Sequence, residues 1–209
     1  MSVTDARVRG YRPGVGRWRE GTRGRLQQAA VGLFAVHGYG ATTTEQIAAA
    51  AGVTQRTFFR HFRDKEEVLF AGDDELLAAL LGGARPVPDG AAPVDVVRAA
   101  LRALAERLQD GREEQRVRAR VVASDPALVG RDLAKQARWT GALAEVLTDR
   151  GLPPERARAL VGAGAAAFRA AYTSWLSGPG RAGLARLVER ALDELTADLA
   201  ARPAVAPAG

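Results

Sequence analysis

Two short helical stretches, separated by three residues that interrupt a helix, lie near the start of the chain. The first covers about 44–51, the second about 55–62, and Gly52-Val53-Thr54 separates them. Ala48 is small enough to let two helices approach closely, and Gly52 can adopt the left-handed backbone of a tight turn. Together with a longer preceding helix, this pattern predicts a helix-turn-helix. An ordinary αα-hairpin is the alternative, because it can show the same alanine and glycine.

The flanking residues supply start and stop signals for these helices. An apolar face at helical spacing predicts a first helix from Thr22 up to the stop at Gly38. Thr43 and Gln46 form a predicted capping box, Thr54 can cap the next helix, and Asp64 with Glu67 predicts a further helix from Lys65 to about Leu81. The small core that holds the second short helix would consist of Ile47, Val53, Phe58 and Phe62.

The remainder of the chain reads as helices, and no segment alternates with period two over a useful length, so the fold class is all-α. The helices are expected at about 94–109, 113–123, 126–149, 155–177 and 182–200, after a loop over 82–93. The predicted domains are a flexible basic arm (1–21), a helix-turn-helix DNA-binding domain (22–66), a helical ligand-binding and dimerisation domain (67–201) and a disordered tail (202–209).

Composition excludes several classes of protein. The chain has no cysteine and no long uncharged apolar run, so we expect neither disulfides nor a membrane span, and a cytoplasmic location. The two histidines, His37 and His61, are too far apart in the sequence to suggest a metal site. The sequence contains no G-x-S-x-G nucleophile elbow, no P-loop motif and no cluster of metal ligands. We therefore expect neither an enzyme nor a bound cofactor.

The distribution of charge indicates a polyanionic partner for the first third of the chain. Residues 1–65 hold 11 basic and four acidic side chains, a net charge of +7, whereas the whole chain carries +6. The second short helix presents Gln55, Arg56, Thr57 and Arg60, and arginine and glutamine can pair with guanine and adenine in the major groove. Lys65 would either bind phosphate or be a solvated lysine.

Residues 22–70, through GYGATT, IAAAAGVT, TFFRHF and KEEVL, resemble the DNA-binding domain of TetR-family regulators. The resemblance implies a homodimer whose all-α C-terminal domain binds a small molecule. It also implies that Lys65 binds phosphate and that Phe59, where many members have tyrosine, contributes packing only. Arg60 or His61 could replace the lost phosphate contact. The DNA-binding set implied is Thr42, Thr43, Thr54, Gln55, Arg56, Thr57, Phe59, Arg60, His61 and Lys65.

The N-terminal arm carries a series of arginines that could enter a minor groove or follow phosphates. The alternative is an unstructured leader that contributes little. The arginines within residues 1–25 are Arg7, Arg9, Arg12, Arg17, Arg19, Arg23 and Arg25.

An apolar stripe on the last helix and a run of small residues on the helix before it suggest a four-helix dimer interface, or else intramolecular core. A dimer is expected independently, because one helix-turn-helix reads few base pairs and a twofold dimer reads two half-sites of a palindrome. The interface candidates are Gly162, Ala166, Leu184, Leu187, Val188, Ala191 and Leu195.

Candidates for effector binding are sparse. Arg169, if buried, needs an anionic partner, either a ligand or a nearby carboxylate, and it lies among aromatic residues at helical spacing. The stretch VRARVVASDPAL (117–128) resembles a TetR subgroup with acyl-CoA-like ligands, so an amphipathic or anionic effector is a lead. The candidate residues are Arg118, Trp139, Phe168, Arg169 and Tyr172. We therefore predict a repressor that an effector releases from its operator, with an activator or a ligand-independent DNA-binding protein as alternatives.

Overall fold

The computed structural model describes residues 21–179 and 182–200, which form α-helices and their connections. The helices are α1 (Thr22–His37), α2 (Thr44–Ala50), α3 (Gln55–His61), α4 (Lys65–Phe70), α5 (Asp73–Ala84), α6 (Pro93–Leu108), α7 (Arg112–Ala123), α8 (Pro126–Asp149), α9 (Pro154–Ser177) and α10 (Leu184–Ala200). A short 3₁₀ turn, Gln109–Gly111, joins α6 to α7. The all-α prediction is confirmed for the described residues.

The helices group into two compact units. Among the described residues, the first contains 21–77 together with Asp110–Trp139, and the second contains Ala78–Gln109 together with 140–179 and 182–200. Helices α5 and α8 contribute to both units. In the first unit α1 packs against α2, α4 and α7, and its core runs from Leu26 and Phe34 through Phe58 and Phe62 to Leu128.

The helix-turn-helix is present in the first unit as predicted. Ala48 is 1% exposed, and Gly52 has φ +69°, a conformation that L side chains rarely adopt. Thr43 accepts the Gln46 N–H while Gln46 reaches back to the Thr43 N–H, so the capping box is confirmed. Thr54 caps α3 by accepting the N–H of Thr57.

The single helix predicted from Lys65 to Leu81 is wrong, because the chain breaks it at Ala71-Gly72. Ala71 is extended (φ −64°, ψ 131°) and Gly72 has φ +97°. The break has side-chain support, since Gln27 donates to the Ala71 carbonyl at 3.1 Å. The new helix then begins with acidic residues in its first turn, which favour a helix N-terminus.

The loop predicted over 82–93 is shorter than expected, since α5 continues to Ala84 and α6 begins at Pro93. Gly83 lies inside α5 because α6 passes very close. A Cβ added at Gly83 would stand 2.6 Å from both the Cβ of Ala103 and the carbonyl oxygen of Ala99. Arg150 then secures the end of α5 by donating to the carbonyls of Ala84 and Val87, at 3.0 and 2.9 Å.

The second unit is built on α10, which packs against both α9 and α6. Gly164 in α9 allows α6 to approach, since an added Cβ would stand 2.6 Å from Val97 Cγ1. Arg98 of α6 pairs with Glu189 and Asp193 of α10, at 2.7 and 2.8 Å.

The predicted basic arm, apart from Gly21, and the predicted tail lie outside the described residues. Within the described ranges, none of the helices combines the length and the apolar character that crossing a bilayer requires.

Candidate DNA interface and buried polar cluster

A row of exposed side chains on α3 forms the candidate DNA interface. Gln55, Arg56, Phe59 and Arg60 are exposed, and Thr57 is half-buried. Phe58 and Phe62 anchor the opposite face of α3, at 0% and 1% exposure. The helix therefore has a fixed core side and a solvent side that carries the side chains predicted to read bases.

Phe59 differs from the role implied by the resemblance. Its side chain is 52% exposed, although its ring meets that of Phe58 edge-on at 5.4 Å. The Phe59 side chain is therefore partly packed on Phe58 and partly open to solvent.

The predicted threonines have different surroundings. Thr43 and Thr54 are exposed caps at the start of α2 and α3. Thr42 is 1% exposed and its hydroxyl donates to the Gly38 carbonyl at 2.8 Å. The structure therefore corrects the phosphate contact implied for the Thr42 side chain, which supports the loop between α1 and α2.

Lys65 is also placed differently from the sequence prediction. Its ammonium donates to the carbonyl oxygens of Tyr39 at 2.7 Å, Thr42 at 3.0 Å and Gly40 at 3.4 Å. It also lies 4.1 Å from the centre of the Tyr39 ring. A lysine has three N–H donors, so these three carbonyls occupy all of them. In this conformation Lys65 holds the loop Tyr39–Thr42 in place, and a direct phosphate contact would have to displace these bonds.

Tyr39 connects that loop to α4 and α8. Its hydroxyl donates to Glu66 at 3.0 Å, and the other Glu66 oxygen accepts from Arg131 of α8 at 3.2 Å. Burial and the nearby Glu66 carboxylate raise the pKa of Tyr39. The phenol therefore stays protonated at physiological pH and acts as a donor.

Arg23, which the sequence analysis listed among the arginines of residues 1–25, supports the end of α3. Its guanidinium donates to the carbonyl of His61 at 3.2 Å and lies 4.6 Å from the centre of the Phe62 ring. Cations near a helix C-terminus are favourable. His61 itself is half-buried and its Nε2 is buried without a hydrogen-bond partner, so this atom does not face a phosphate.

A second polar site in the first unit surrounds Phe70 at the end of α4. The positive groups of Arg118, Arg131 and Lys135 lie 5.0, 5.1 and 5.7 Å from the centre of its ring. Lys135 also lies 5.1 Å from the ring of Trp139, which is 9% exposed. The structure thus brings together the two candidates Arg118 and Trp139 around residues that sequence reasoning missed.

Two carboxylates neutralise this site. Lys135 donates to Asp132 at 2.6 Å, while Arg118 stands 3.5 Å from Asp132 and 3.9 Å from Asp73. Burial raises the pKa of Asp73 and, with Arg118 nearby, lowers that of Lys135. Burial opposes the ionisation of Asp132 as well, but Lys135 and Arg118 outweigh it and lower its pKa. We call Phe70, Asp73, Arg118, Asp132, Lys135 and Trp139 the polar cluster.

The remaining effector candidates belong to the second unit. Phe168 and Tyr172 are half-buried and stacked, with ring centres 6.2 Å apart, and Tyr172 lies 5.9 Å from the Trp175 ring. Arg169 is exposed. Because Arg169 is exposed, its guanidinium does not require an anionic ligand to offset burial.

The dimer candidates divide into two groups. Leu184 and Val188 are 0% exposed within the single chain, so they belong to its own core and are corrected as interface residues. Gly162 and Ala166 of α9 are exposed, and Leu187, Ala191 and Leu195 of α10 are partly exposed. These five remain available to a partner.

The fold and the α3 surface define a helix-turn-helix regulator, and comparison with known proteins agrees. The model for bacterial regulatory proteins of the tetR family matches residues 26–71, and the model for the MftR C-terminal domain matches residues 91–200. The chain belongs to the TetR family of bacterial regulatory proteins.

Individual relatives are similar over most of the chain. The transcriptional regulator TcmR of Streptomyces glaucescens is 36% identical over 62% of this chain and 60% of its own length, so the match spans less than two thirds of TcmR. MftR of Mycobacterium tuberculosis, named as a mycofactocin biosynthesis regulator, is 30% identical over 65% of this chain and 69% of its own. The repressor FadR of Thermus thermophilus, solved with lauroyl-CoA, has a TM-score of 0.58 and 26% identity, covering 90% of this chain and 100% of FadR.

Proposed function

We propose that a dimer of this chain represses transcription by placing two copies of α3 in successive major grooves of a palindromic operator, and that a small-molecule effector releases it. The observation that carries this is the exposed row of Gln55, Arg56, Phe59 and Arg60 on a helix whose other face is buried. We further propose that it works in the cytoplasm on nucleoid DNA and has no catalytic activity.

The side chains on this row suggest distinct roles. Arg56 is free of any helix-capping role and suits bidentate pairing with guanine. Gln55 donates to the Thr44 hydroxyl at 3.0 Å, so its amide is oriented before it meets an adenine edge. Arg60, one turn further on, suits a phosphate. Thr43, Thr54 and Thr57 would add contacts near the helix starts.

Dimerisation would use the exposed small residues of α9 and the partly exposed stripe of α10. Gly162 and Ala166 are small residues, so a helix of the partner protomer can pack closely against α9 there. Leu187, Ala191 and Leu195 provide the apolar component on α10. The proposed interface therefore contains fewer residues than the set predicted from the sequence, which included the core residues Leu184 and Val188.

The effector is proposed to be amphipathic, and lauroyl-CoA in FadR is one example of that class. The proposed contact residues are Arg118 and Trp139 of the polar cluster in the first unit. Phe168 and Tyr172 belong to the second unit and form a separate candidate. The effector must bind two conformations unequally to act, and coupling of roughly 1–3 kcal/mol is ordinary for such proteins.

The test is titration of the protein against DNA from upstream of its own gene, at several salt concentrations. We expect saturable binding that requires a palindrome, and about a 10-fold or greater loss with Arg56→Ala. Arg85→Ala is the matched control, since Arg85 is exposed and lies outside the first unit. Equal affinity of the Arg56→Ala protein, or equal losses in both variants, would remove Arg56 from the interface.

A further inference from the structure

Two buried hydrogen-bond donors in the polar cluster have no acceptor. These are Nη2 of Arg118 and Nε1 of Trp139. Within the described residues, the only other buried side-chain atom in this condition is Nε2 of His61. A buried donor without a partner destabilises the folded protein, so two of them in one cluster point to an acceptor from outside the chain.

Neither carboxylate of the cluster satisfies Arg118 Nη2, and Asp73 stands 3.9 Å from it, beyond hydrogen-bond distance. Asp132 accepts from Lys135 on one oxygen, at 2.6 Å, and from Gln136 on the other, at 2.7 Å. Arg118 spends its Nε–H on the Leu69 carbonyl, at 3.2 Å. Its Nη2 is left at ion-pair distance from Asp132, 3.5 Å, without a hydrogen bond.

Charge balance determines which kind of acceptor fits. Arg118 and Lys135 are matched by Asp73 and Asp132, and all four side chains are at least four-fifths buried. A carboxylate or phosphate ligand would add uncompensated negative charge beside two existing carboxylates, and burying such a charge is strongly unfavourable. An uncharged acceptor would satisfy the donors and leave the balance unchanged.

The surroundings of the donors are aromatic. The Phe70 ring lies on the Arg118 side of the cluster and the Trp139 indole carries the second donor. Ligand sites in proteins are typically lined by aromatic and apolar side chains, with a few polar groups that fix the orientation of the ligand. Aromatic rings beside two unpaired N–H groups match this description.

We infer that Arg118 and Trp139 recognise an uncharged carbonyl oxygen of the effector, such as that of a ketone, ester, amide or thioester. This rests on the proposed ligand response. It narrows the chemistry of the ligand at this cluster, because the sequence analysis gave an amphipathic or anionic effector as the lead. Lys135 is a positioning residue here, because it holds Asp132 and thereby leaves Arg118 Nη2 available.

The experiment observes the indole N–H of Trp139 directly in the full-length ¹⁵N-labelled protein. The chain has three tryptophans, and Trp139→Phe identifies the resonance by its loss. Three probes of matched shape are titrated: acetophenone, α-methylstyrene, in which a CH₂ replaces the carbonyl oxygen, and benzoate, which is anionic. Acetophenone should move the Trp139 indole proton downfield in a saturable manner, with at least about 10-fold higher affinity than either other probe.

Control variants separate this site from the rest of the protein. Arg118→Gln should weaken acetophenone binding, while Trp175→Phe, in the second unit, should leave the Trp139 shift intact. The inference is overturned if benzoate binds as well as acetophenone, if α-methylstyrene gives the same shift, or if none of the probes moves this resonance. Operator titration of the same samples is a separate measurement. Intact operator binding without a shift would reject the carbonyl site and leave the proposed DNA recognition in place. A shift without operator binding would support the carbonyl site and reject the proposed DNA recognition.

Discussion

The chain contains two lysines among 30 basic residues, and both lie in the first unit beside an aromatic ring. Lys65 is surrounded by backbone carbonyls of one loop, whereas Lys135 is surrounded by side chains that titrate. The ammonium of Lys65 has all its donors occupied, while Lys135 bonds one oxygen of Asp132. The same residue type thus fixes a loop at one place and balances charge at the other.

This difference shows which region a ligand can influence. The bonds of Lys65 are to groups that carry no net charge and change only if the loop itself moves. The polar cluster depends on the balance of four ionised groups and contains unpaired donors. A ligand therefore has more to alter at Lys135 than at Lys65, although Lys65 is the one nearer to the reading helix in sequence.

The largest expected effect comes from Lys65→Met, which keeps the length of the side chain and removes its charge. Three charge-assisted bonds to the Tyr39–Thr42 loop are lost, and we expect operator affinity to fall about 10- to 100-fold. If Lys65 acts by holding the loop, the slope of log affinity against log salt stays unchanged. A phosphate contact would instead lower that slope by about 0.9 per contact, hence about 2 for a dimer.

Hydrogen exchange of the free protein supplies a readout that does not depend on DNA. Amides from Tyr39 to Thr42 should exchange faster in Lys65→Met, and Lys65→Arg should restore part of the protection. Unaltered exchange in Lys65→Met would contradict the loop-holding role.

The next largest effect is expected from Asp132→Asn. Lys135 and Arg118 lower the pKa of Asp132 despite its burial, so its charge stabilises the fold above the ordinary value of 3.8 and that stabilisation is lost as pH falls through the lowered value. We expect a loss of about 1–2 kcal/mol in unfolding free energy at pH 7. Urea unfolding between pH 3 and pH 7 measures it, and a difference that persists undiminished at the acid end would refute the assignment.

Arg23→Gln tests whether Arg23 supports the C-terminal end of α3. Removing the cation from the His61 carbonyl and from the Phe62 ring should reduce stability by about 1 kcal/mol and operator affinity a few-fold. Arg25→Gln is the control, because Arg25 is exposed and donates to the Thr22 hydroxyl within the same helix. Similar behaviour of the two variants would mean that charge alone, and not the contact with α3, accounts for the loss.

The smallest effect, with the opposite sign, is expected from Asp73→Asn. Burial raises the pKa of Asp73, so wild-type stability from this group is present below 3.8 and is lost as pH rises through the raised value. The neutral amide should therefore stabilise the protein at pH 7 by less than about 1 kcal/mol, with no gain below pH 3.8. Destabilisation by Asp73→Asn at pH 7 would show that the ion pairs outweigh burial.

The sequence predicted what local patterns determine. The caps at Thr43 and Thr54, the turn at Gly52 and the core of Ile47, Phe58 and Phe62 follow from spacing and residue type, and the structure confirms them. The break at Gly72 also had a local signal, a glycine followed by acidic residues, which the continuous apolar pattern outweighed in our prediction.

The polar cluster and the support of α3 could not be predicted in the same way. Arg23 meets the His61 carbonyl 38 residues away, and Arg118 meets the Leu69 carbonyl 49 residues away. Backbone acceptors carry no residue identity, so such contacts leave no pattern in the sequence. The spacing of Asp132, Lys135 and Trp139 on one face of a helix was the one available signal, and it does not reveal that the face is buried against Phe70.

Two glycines in α9, Gly162 and Gly164, face different evolutionary constraints. A methyl group at Gly164 would collide with Val97, so replacing this glycine requires a compensating change in α6. Apart from its own helix backbone and chain neighbours, no atom of the described residues lies within 4 Å of the position that a Cβ would occupy at Gly162. Alanine there would gain roughly 1 kcal/mol of helix propensity. Substitution at Gly164 is thus limited from inside the protomer. At Gly162 substitution is limited only if a second protomer lies against that surface. The range of residues that a selection experiment accepts at position 162 therefore tests whether this surface is a dimer interface.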